Sequence, residues 1–204
     1  MDNMSSDLHT FLRSRRSIRH FKQVSVSNDI IQRILETATW APSAHNQQPW
    51  RFIVVTTDEA KLQLAESIAA KFQKDMTKDR LSAAIIQARV QKTIYRATQA
   101  PVIIVLCLNR KKVKSQPDRV RRQAELLMSV QSVAMTGLQI LLAAHAEGLG
   151  GNWICWPLFA TKEIRGALGL ASELDPQAMI FLGYPAETPE IQSRISVQDM
   201  TSYL

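Results

Sequence analysis

The chain has 204 residues, 46% of them apolar and 21% charged, with seven glycines and eight prolines. This composition is typical of one compact folded domain over residues 1–204 and excludes a disordered or fibrous chain. A net charge of +7 favours anionic partners without selecting any particular anion. The two cysteines, Cys107 and Cys155, have neither disulfide-framework nor zinc spacing. They predict a reducing compartment, the cytoplasm, and no metal site.

Neither an export signal nor a membrane span is expected. The hydrophobic residues of segment 1–19 are scattered among polar and charged ones, unlike the apolar core of a signal peptide. The longest apolar runs, residues 100–108 and 133–146, are too short or too interrupted by polar side chains to cross a bilayer, which takes about 20 apolar residues. The sequence therefore predicts a protein that works in water.

Helical periodicity is clear in four segments between about residues 27 and 168. Ser27 is placed to be the N-cap of the first of them. The charged segment 74–80 is expected to turn at the surface. The four predicted helices are residues 27–38, 59–72, 81–91 and 162–168.

Short apolar runs between these helices predict β-strands. Residues 50–56 are β-branched and aromatic, and residues 178–182 end at Gly-Tyr-Pro. Residues 101–108 are almost wholly apolar, which predicts a strand buried on both faces. Residues 153–156 fit either a short strand or a loop. The alternation predicts an α/β fold, a sheet covered by helices on both faces, and leaves the strand order open.

A long helix is predicted from Asp118 to about Glu147, ended by Gly148. Its second half, residues 130–146, is apolar on nearly every side, so it has to be buried. At about 1.5 Å per residue it is as long as a small domain is wide, and one subunit cannot cover both of its flanks. We therefore expect a homodimer built on this helix, with Gly137 allowing another helix to approach closely.

Two polar segments contain most of the candidate binding residues. The first, Arg15-Arg16-Ser17-Ile18-Arg19, offers guanidinium groups and a hydroxyl within five residues, a good receptor for phosphate. Its alternative explanation is a solvated basic segment near a terminus. The second, residues 41–50, packs amide side chains between two prolines, which suits the polar edge of a heterocycle and also occurs in ordinary turns. His45 within it has no acidic or thiol neighbour in sequence and is incidental.

Together these segments resemble the N-terminal signature of the nitroreductase family of FMN-dependent oxidoreductases, an R-x-S-x-R/K cluster, a helix and a P-S-x-x-N-x-Q-P-W loop that enters a strand. Residues 143–154 resemble a third element of that family, A-x-x-x-G-L-G-x-x-W. Three further segments, residues 157–159, 167–170 and 182–187, are similar to the flavin-binding C-terminal domain of deazaflavin-coenzyme glutamyl ligases, a branch of the same family.

The resemblance implies a nitroreductase-like three-layer α/β/α sandwich with a central mixed sheet, a long dimer-forming helix and FMN as cofactor. It implies no catalytic side chain, because a flavin carries the electron transfer itself. The residues that it places at the cofactor are Arg15, Arg16, Ser17, Arg19, Pro42, Ser43, Asn46, Gln48, Trp153, Ile154, Cys155 and Arg194.

The family pattern also implies roles. The segment 15–19 holds the FMN phosphate and ribityl chain, and Asn46 faces the pyrimidine edge of the ring. Residues 153–155 lie along the ring and offer backbone N–H groups to the nitrogen that takes up hydride. Arg194 occupies the arginine of a K-x-R phosphate contact, whose lysine is replaced here by Gln192. Cys155 lacks a basic neighbour in sequence, so a nucleophilic role for it is disfavoured.

The function implied is hydride transfer from NADH or NADPH, as visiting substrates, to a small nitroaromatic or quinone acceptor by a ping-pong mechanism. The alternative is a flavin- or deazaflavin-binding module that supports a partner enzyme and has no nicotinamide turnover of its own. A nucleic-acid binder is a third class, but it draws only on the charge, since the chain lacks a basic recognition helix or a zinc motif.

Overall fold

Four strands form one sheet in the computed structural model, which describes residues 2–204 and their side chains from residue 6 onward. The spatial order is β1-β2-β4-β3, so β1 and β3 are the two edges. All three neighbouring pairs are antiparallel. The strands are β1 (Trp50–Val55), β2 (Val102–Asn109), β3 (Gly150–Ile154) and β4 (Leu174–Gly183).

Six α-helices of residues 2–204 surround the sheet. Four of them, α2, α3, α4 and α5, begin at an N-cap residue whose side chain accepts a hydrogen bond from the first turn, as predicted for Ser27. The helix at the N-terminus, α1, was not anticipated from sequence. The helices are α1 (Asp2–Ser14), α2 (Asn28–Ala38), α3 (Asp58–Lys78), α4 (Ala83–Thr98), α5 (Arg119–Ala146) and α6 (Thr161–Ala167).

The predicted layers are confirmed by β2, which is buried on both faces. Its alternate residues Val102, Ile104, Leu106 and Leu108 pack in one core with apolar residues of α2 and α5. The intervening Ile103, Val105 and Cys107 pack in a second core with α3 and α6. Because strand side chains alternate between faces, one strand joins the two cores of a three-layer sandwich.

The expected mixed sheet needs a correction, since no two of the four described strands are parallel. Parallel pairing is confined to an isolated bridge between Ser17 and Gly151. Two antiparallel helices, α3 and α4, connect β1 to β2. The chain therefore enters β2 at the end where it left β1, and the two strands pair antiparallel.

The region expected to turn at residues 74–80 is largely helical. Helix α3 continues to Lys78. Its last turns are stabilised by the burial of Met76 and by the ion pair between Lys71 and Asp75, one turn apart. The turn follows at Asp79 and Arg80, the latter with a left-handed φ of 58°. Two strands are also longer than predicted, with β3 beginning at Gly150 and β4 at Leu174.

Helix α5 runs through the centre of the molecule, packing on α2 and on all four strands. By length and composition it is the one helix of the described residues that could cross a membrane, although its packing here is that of a core helix. As the sequence predicted, one chain does not cover all sides of this helix. Leu127 and Leu138 are 57% and 53% exposed in the single chain.

Gly137 of α5 serves the chain itself, and the expectation that it admits another helix is corrected. A Cβ at this position would lie 2.2 Å from Cζ3 of Trp153 and 2.9 Å from Cδ1 of Leu106. The glycine therefore makes the space in which the Trp153 ring of β3 lies against α5.

We expect Gly137→Ala to destabilise the protein by about 1–3 kcal/mol, because the packed indole ring has to move to admit a methyl group. The measurement is the free energy of unfolding from urea titration. Gly166→Ala is the matched control, since no atom lies within 4 Å of its added Cβ. The control is expected to gain about 0.5–1 kcal/mol from helix propensity. Equal stability of the two variants would contradict the assigned role of Gly137.

Candidate functional site

An arginine cleft of about 330 Å³ lies where α1 ends. It brings together the predicted phosphate residues Arg15, Arg16, Ser17 and Arg19 with Arg194 of the C-terminal segment. The backbone of residues 17–18 is attached to the sheet, since the amide of Ile18 donates to the carbonyl of Gly151 at 3.1 Å. Residues separated by about 175 positions in sequence thus form one surface next to β3.

The cleft concentrates positive charge. The pKa of the Arg15 guanidinium is lowered, first by burial and then by the neighbouring charges of Arg16 and Arg194. Nη1 of Arg194 donates only to the carbonyls of Gln192 and Ser193, at 3.2 Å each. Glu190 is the one carboxylate among the residues that line the cleft. A bound anion would reduce the mutual repulsion of the guanidinium groups.

Glu187 positions the same segment from the other side, a role that the sequence pattern did not reveal. Its Oε1 accepts hydrogen bonds from the backbone amides of Arg19, at 2.7 Å, and His20, at 3.2 Å. Since a carboxylate accepting backbone N–H groups forms strong, charge-assisted bonds, Glu187 holds the end of the arginine segment in place. It acts on the backbone and leaves the arginine side chains available.

The amide loop before β1 has an unusual backbone. His45, Asn46 and Gln48 all adopt left-handed φ angles, of 53°, 52° and 47°. Three such non-glycine residues in four positions are conformationally costly and are characteristic of sites where side chains must be aimed. The Nε2 of Gln48 donates to Oδ1 of Asn46 at 3.0 Å, which orients both exposed amides.

The loop is anchored at its start. The backbone amide of Gln48 donates to Oγ of Ser43 at 3.1 Å, closing the turn that follows Pro42. The amide of Ala44 donates to Oγ of Ser132 on α5 at 3.2 Å. These two bonds compensate part of the strain and attach the loop to the central helix.

The edge strand β3 supplies the remaining predicted residues. Ile154 is buried, Trp153 is half-buried and Cys155 is exposed, with Nε1 of Trp153 donating to Sγ of Cys155 at 3.1 Å. Within residues 2–204 the outer edge of β3 pairs only through the bridge at Gly151. Backbone groups beyond that bridge are therefore available to a ligand.

Asn152 connects this edge to its surroundings and was missed as a site residue. It is only 3% exposed. In the amide orientation that satisfies both of its polar atoms, its nitrogen donates to the carbonyl of Ile18 at 3.1 Å and its oxygen accepts from Arg96 of α4 at 3.3 Å. The guanidinium of Arg96 also lies 5.6 Å from the centre of the Trp156 ring. No local motif distinguishes Arg96, because α4 meets β3 only in the folded chain.

One chain does not bring the amide loop to the other predicted residues. The loop leads into β1, whereas residues 153–155 belong to the opposite edge. Three strand spacings of about 4.8 Å put about 14 Å between these edges. Along α5, the loop contacts Ser132, and Ser14, which directly precedes the arginine segment, contacts His145, 13 positions away or about 20 Å. The predicted residues therefore form two half-sites in each chain.

His145 lies behind the arginine cleft near the end of α5. Its ring stacks on Phe11 at 4.8 Å and its Nε2 is 2.8 Å from Oγ of Ser14. Its pKa is lowered from the ordinary 6.5, first by burial and then by the charges of Arg15 and Arg16. A neutral imidazole in this place connects α1 to α5 without adding to the positive charge.

The fold and the motifs are similar to those of known proteins. The nitroreductase family profile matches residues 12–184. YfhC of Bacillus subtilis, provisionally assigned as an NAD(P)H nitroreductase, is 32% identical over 197 residues, which cover 95% of this chain and 92% of that protein. An NADH dehydrogenase of Thermus thermophilus is 30% identical over 205 residues, covering 89% of this chain and 88% of that protein.

The similarity extends to a solved structure. A provisionally assigned nitroreductase of Desulfovibrio desulfuricans, crystallised in complex with FMN, aligns with a TM-score of 0.73 and 26% identity over 97% of this chain and 96% of that one. The predicted fold class is thereby confirmed.

The lowered pKa of His145 can be tested by titration. Its NMR titration midpoint is expected below 6.5, and R15Q/R16Q is expected to raise it, because two of the charges that disfavour protonation are removed. As the pKa of the unfolded chain is the higher one, stability is lost as the pH falls below 6.5. R119Q/R122Q, at the far end of α5, is the control and should leave the midpoint unchanged. A wild-type midpoint at or above 6.5 would refute the assignment.

Proposed function

Because the chain belongs to the nitroreductase family, we propose that it is a cytoplasmic FMN-dependent oxidoreductase. It takes hydride from NADH or NADPH and reduces a small electron-poor acceptor, a nitroaromatic or a quinone. The observation that carries the proposal is the arginine cleft beside the open edge of β3. A phosphorylated planar cofactor needs both an anion receptor and a polar edge for its ring.

The residues of the cleft fit FMN. Arg15, Ser17, Arg19 and Arg194 would hold the phosphate. Its negative charge would offset the burial and the neighbouring like charges that together lower the pKa of Arg15. Residues 153–155 would offer backbone N–H groups to the ring. When bound, FMN supplies the hydride-transfer chemistry, so the chain has to bind and orient the cofactor and give the substrates access to it. The K-x-R contact is reduced to Arg194, with Gln192 also lining the cleft.

We further propose that the active form is a homodimer in which the cofactor lies between half-sites of different chains. Asn46 and Gln48, preceded by Pro42 and Ser43, would then approach the ring from the second copy, since the loop of the same chain is on the opposite edge of the sheet. The exposed apolar side chains of α5, including Leu127 and Leu138, provide a surface for pairing.

Donor and acceptor are proposed to react with the same flavin in turn. The sequence has no G-x-G-x-x-G motif for a resident nicotinamide cofactor. NAD(P)H gives up a hydride, which is two electrons and one proton, and a further proton from solvent completes the reduction of a quinone to a hydroquinone. The oxidised donor leaves before the acceptor enters, which defines ping-pong kinetics.

The decisive experiment is an absorbance spectrum of the purified, FMN-loaded protein, followed by anaerobic addition of NADH and of NADPH. Bleaching, and then reoxidation by a quinone with turnover above that of free FMN, would support the proposal. Binding of flavin without nicotinamide turnover would favour the alternative, a flavin- or deazaflavin-binding module related to the glutamyl ligases. A protein that cannot be loaded with FMN would refute both.

We expect R15A/R19A to raise the Kd for FMN at least about 100-fold, because each of the two lost charge-assisted contacts to phosphate is worth about 1.5–3 kcal/mol. Fluorescence titration with FMN is the measurement. R119A/R122A removes the same charge from the start of α5 and should bind FMN like the wild type. If the two double variants bind FMN equally well, the phosphate is bound elsewhere.

A further inference from the structure

A second cleft, of about 400 Å³, lies between α3, α4 and the short turn Trp156–Leu158. Its volume suits a small organic molecule of one or two rings. It combines cationic and aromatic side chains, a pairing that the arginine cleft lacks. We name it the aromatic–basic cleft, and its principal residues are Phe72, Arg89, Lys92, Arg96, Trp156 and Phe159.

The cations of this cleft share one face of α4. Arg89, Lys92 and Arg96 follow each other at spacings of three and four residues, so their side chains project to the same side. None of them forms a salt bridge with a carboxylate of residues 6–204. The one acidic residue that lines the cleft, Asp75, is paired with Lys71.

This arrangement lacks a counter-charge. Burial and, secondarily, the charge of Arg19 lower the pKa of Arg96. Three like charges within two turns of helix repel each other, and their interaction with an anion strengthens where the surroundings are partly desolvated. The cleft is therefore electrostatically suited to a ligand with a negative group.

The aromatic part of the cleft is flat and held in position. The ring of Trp156 is fixed edge-on between Phe72, at 6.1 Å, and Phe181, at 5.7 Å. Phe159, one turn further along, is 64% exposed in the chain. Rings of this kind favour the stacked or edge-to-face contacts of a planar aromatic ligand.

The aromatic–basic cleft adjoins the edge of β3. Trp156 follows Cys155 directly in sequence, and Arg96 is hydrogen-bonded to Asn152 of β3. A ligand in the cleft would therefore lie beside the residues proposed above to hold the flavin ring.

We propose that this cleft binds the acceptor and selects planar aromatic acceptors that carry a carboxylate or sulfonate group. Arg89 and Lys92 bind the anionic group, and Trp156 and Phe159 contact the ring. This inference deepens the proposed function and rests on it, because the acceptor is reduced by the same two electrons and two protons.

The kinetic test compares 1,4-naphthoquinone with its 2-sulfonate at saturating NAD(P)H. In R89Q/K92Q, the ratio of kcat/KM for the sulfonate to kcat/KM for the neutral quinone should fall at least tenfold, since two charged contacts are lost. K78Q/R80Q removes one lysine and one arginine outside the cleft and should keep the wild-type ratio. An unchanged ratio in R89Q/K92Q, with both quinones still turned over, would overturn the inference.

A binding measurement separates this inference from the proposed function. Naphthalene-2-sulfonate cannot accept hydride, so calorimetric titration of the purified protein reports on the cleft whether or not the protein turns over. The expected result is binding that R89Q/K92Q weakens at least tenfold and K78Q/R80Q leaves intact. Absent turnover with retained, charge-dependent probe binding would refute the oxidoreductase and keep the anionic cleft. Probe binding that is absent, or equal in all variants, would overturn the cleft.

Discussion

The contact of the arginine segment with the edge of β3 is the constraint on which the rest of the site depends. The amide of Ile18 donates to the carbonyl of Gly151, and the side chain of Ile18 lies where a side chain at Gly150 would have to be. A Cβ there would approach Cγ1 of Ile18 to 2.3 Å. Because that position is a glycine, the segment can lie directly against the sheet. The arginine cleft and the exposed strand edge are thereby placed side by side.

Two groups of cations lie on either side of this contact. The arginine cleft lies on one side, and Arg96, which joins Asn152 and Trp156, leads to the cationic face of α4 on the other. Arginines 15 and 96 both have lowered pKa values because they are partly buried near other cations. Both clefts thus hold cations close together, which is the arrangement that our proposals assign to anionic ligands, and the whole chain carries a net charge of +7.

Two features of the fold support the proposed pairing of two chains. The sheet separates the strained amide loop from β3 by the full width of four strands, and α5 leaves Leu127 and Leu138 more than half exposed. The left-handed backbone at Asn46 and Gln48 is held by short-range hydrogen bonds and by one bond to Ser132 of α5. In our proposal, the pairing of two chains along α5 accounts for both observations.

The sequence by itself determined most of the helices and strands, since these depend on local periodicity and spacing. It correctly placed α2 with its Ser27 cap, the doubly buried β2 and the long α5. It also singled out the arginine segment, which the structure brings together with Arg194. Only the tertiary structure decided the antiparallel order of the strands and the packing of Trp153 on Gly137. It alone brought Asn152, Arg96 and Glu187 to the site. These features join residues far apart in the chain, and no local pattern records which distant side chain will occupy the space beside a strand.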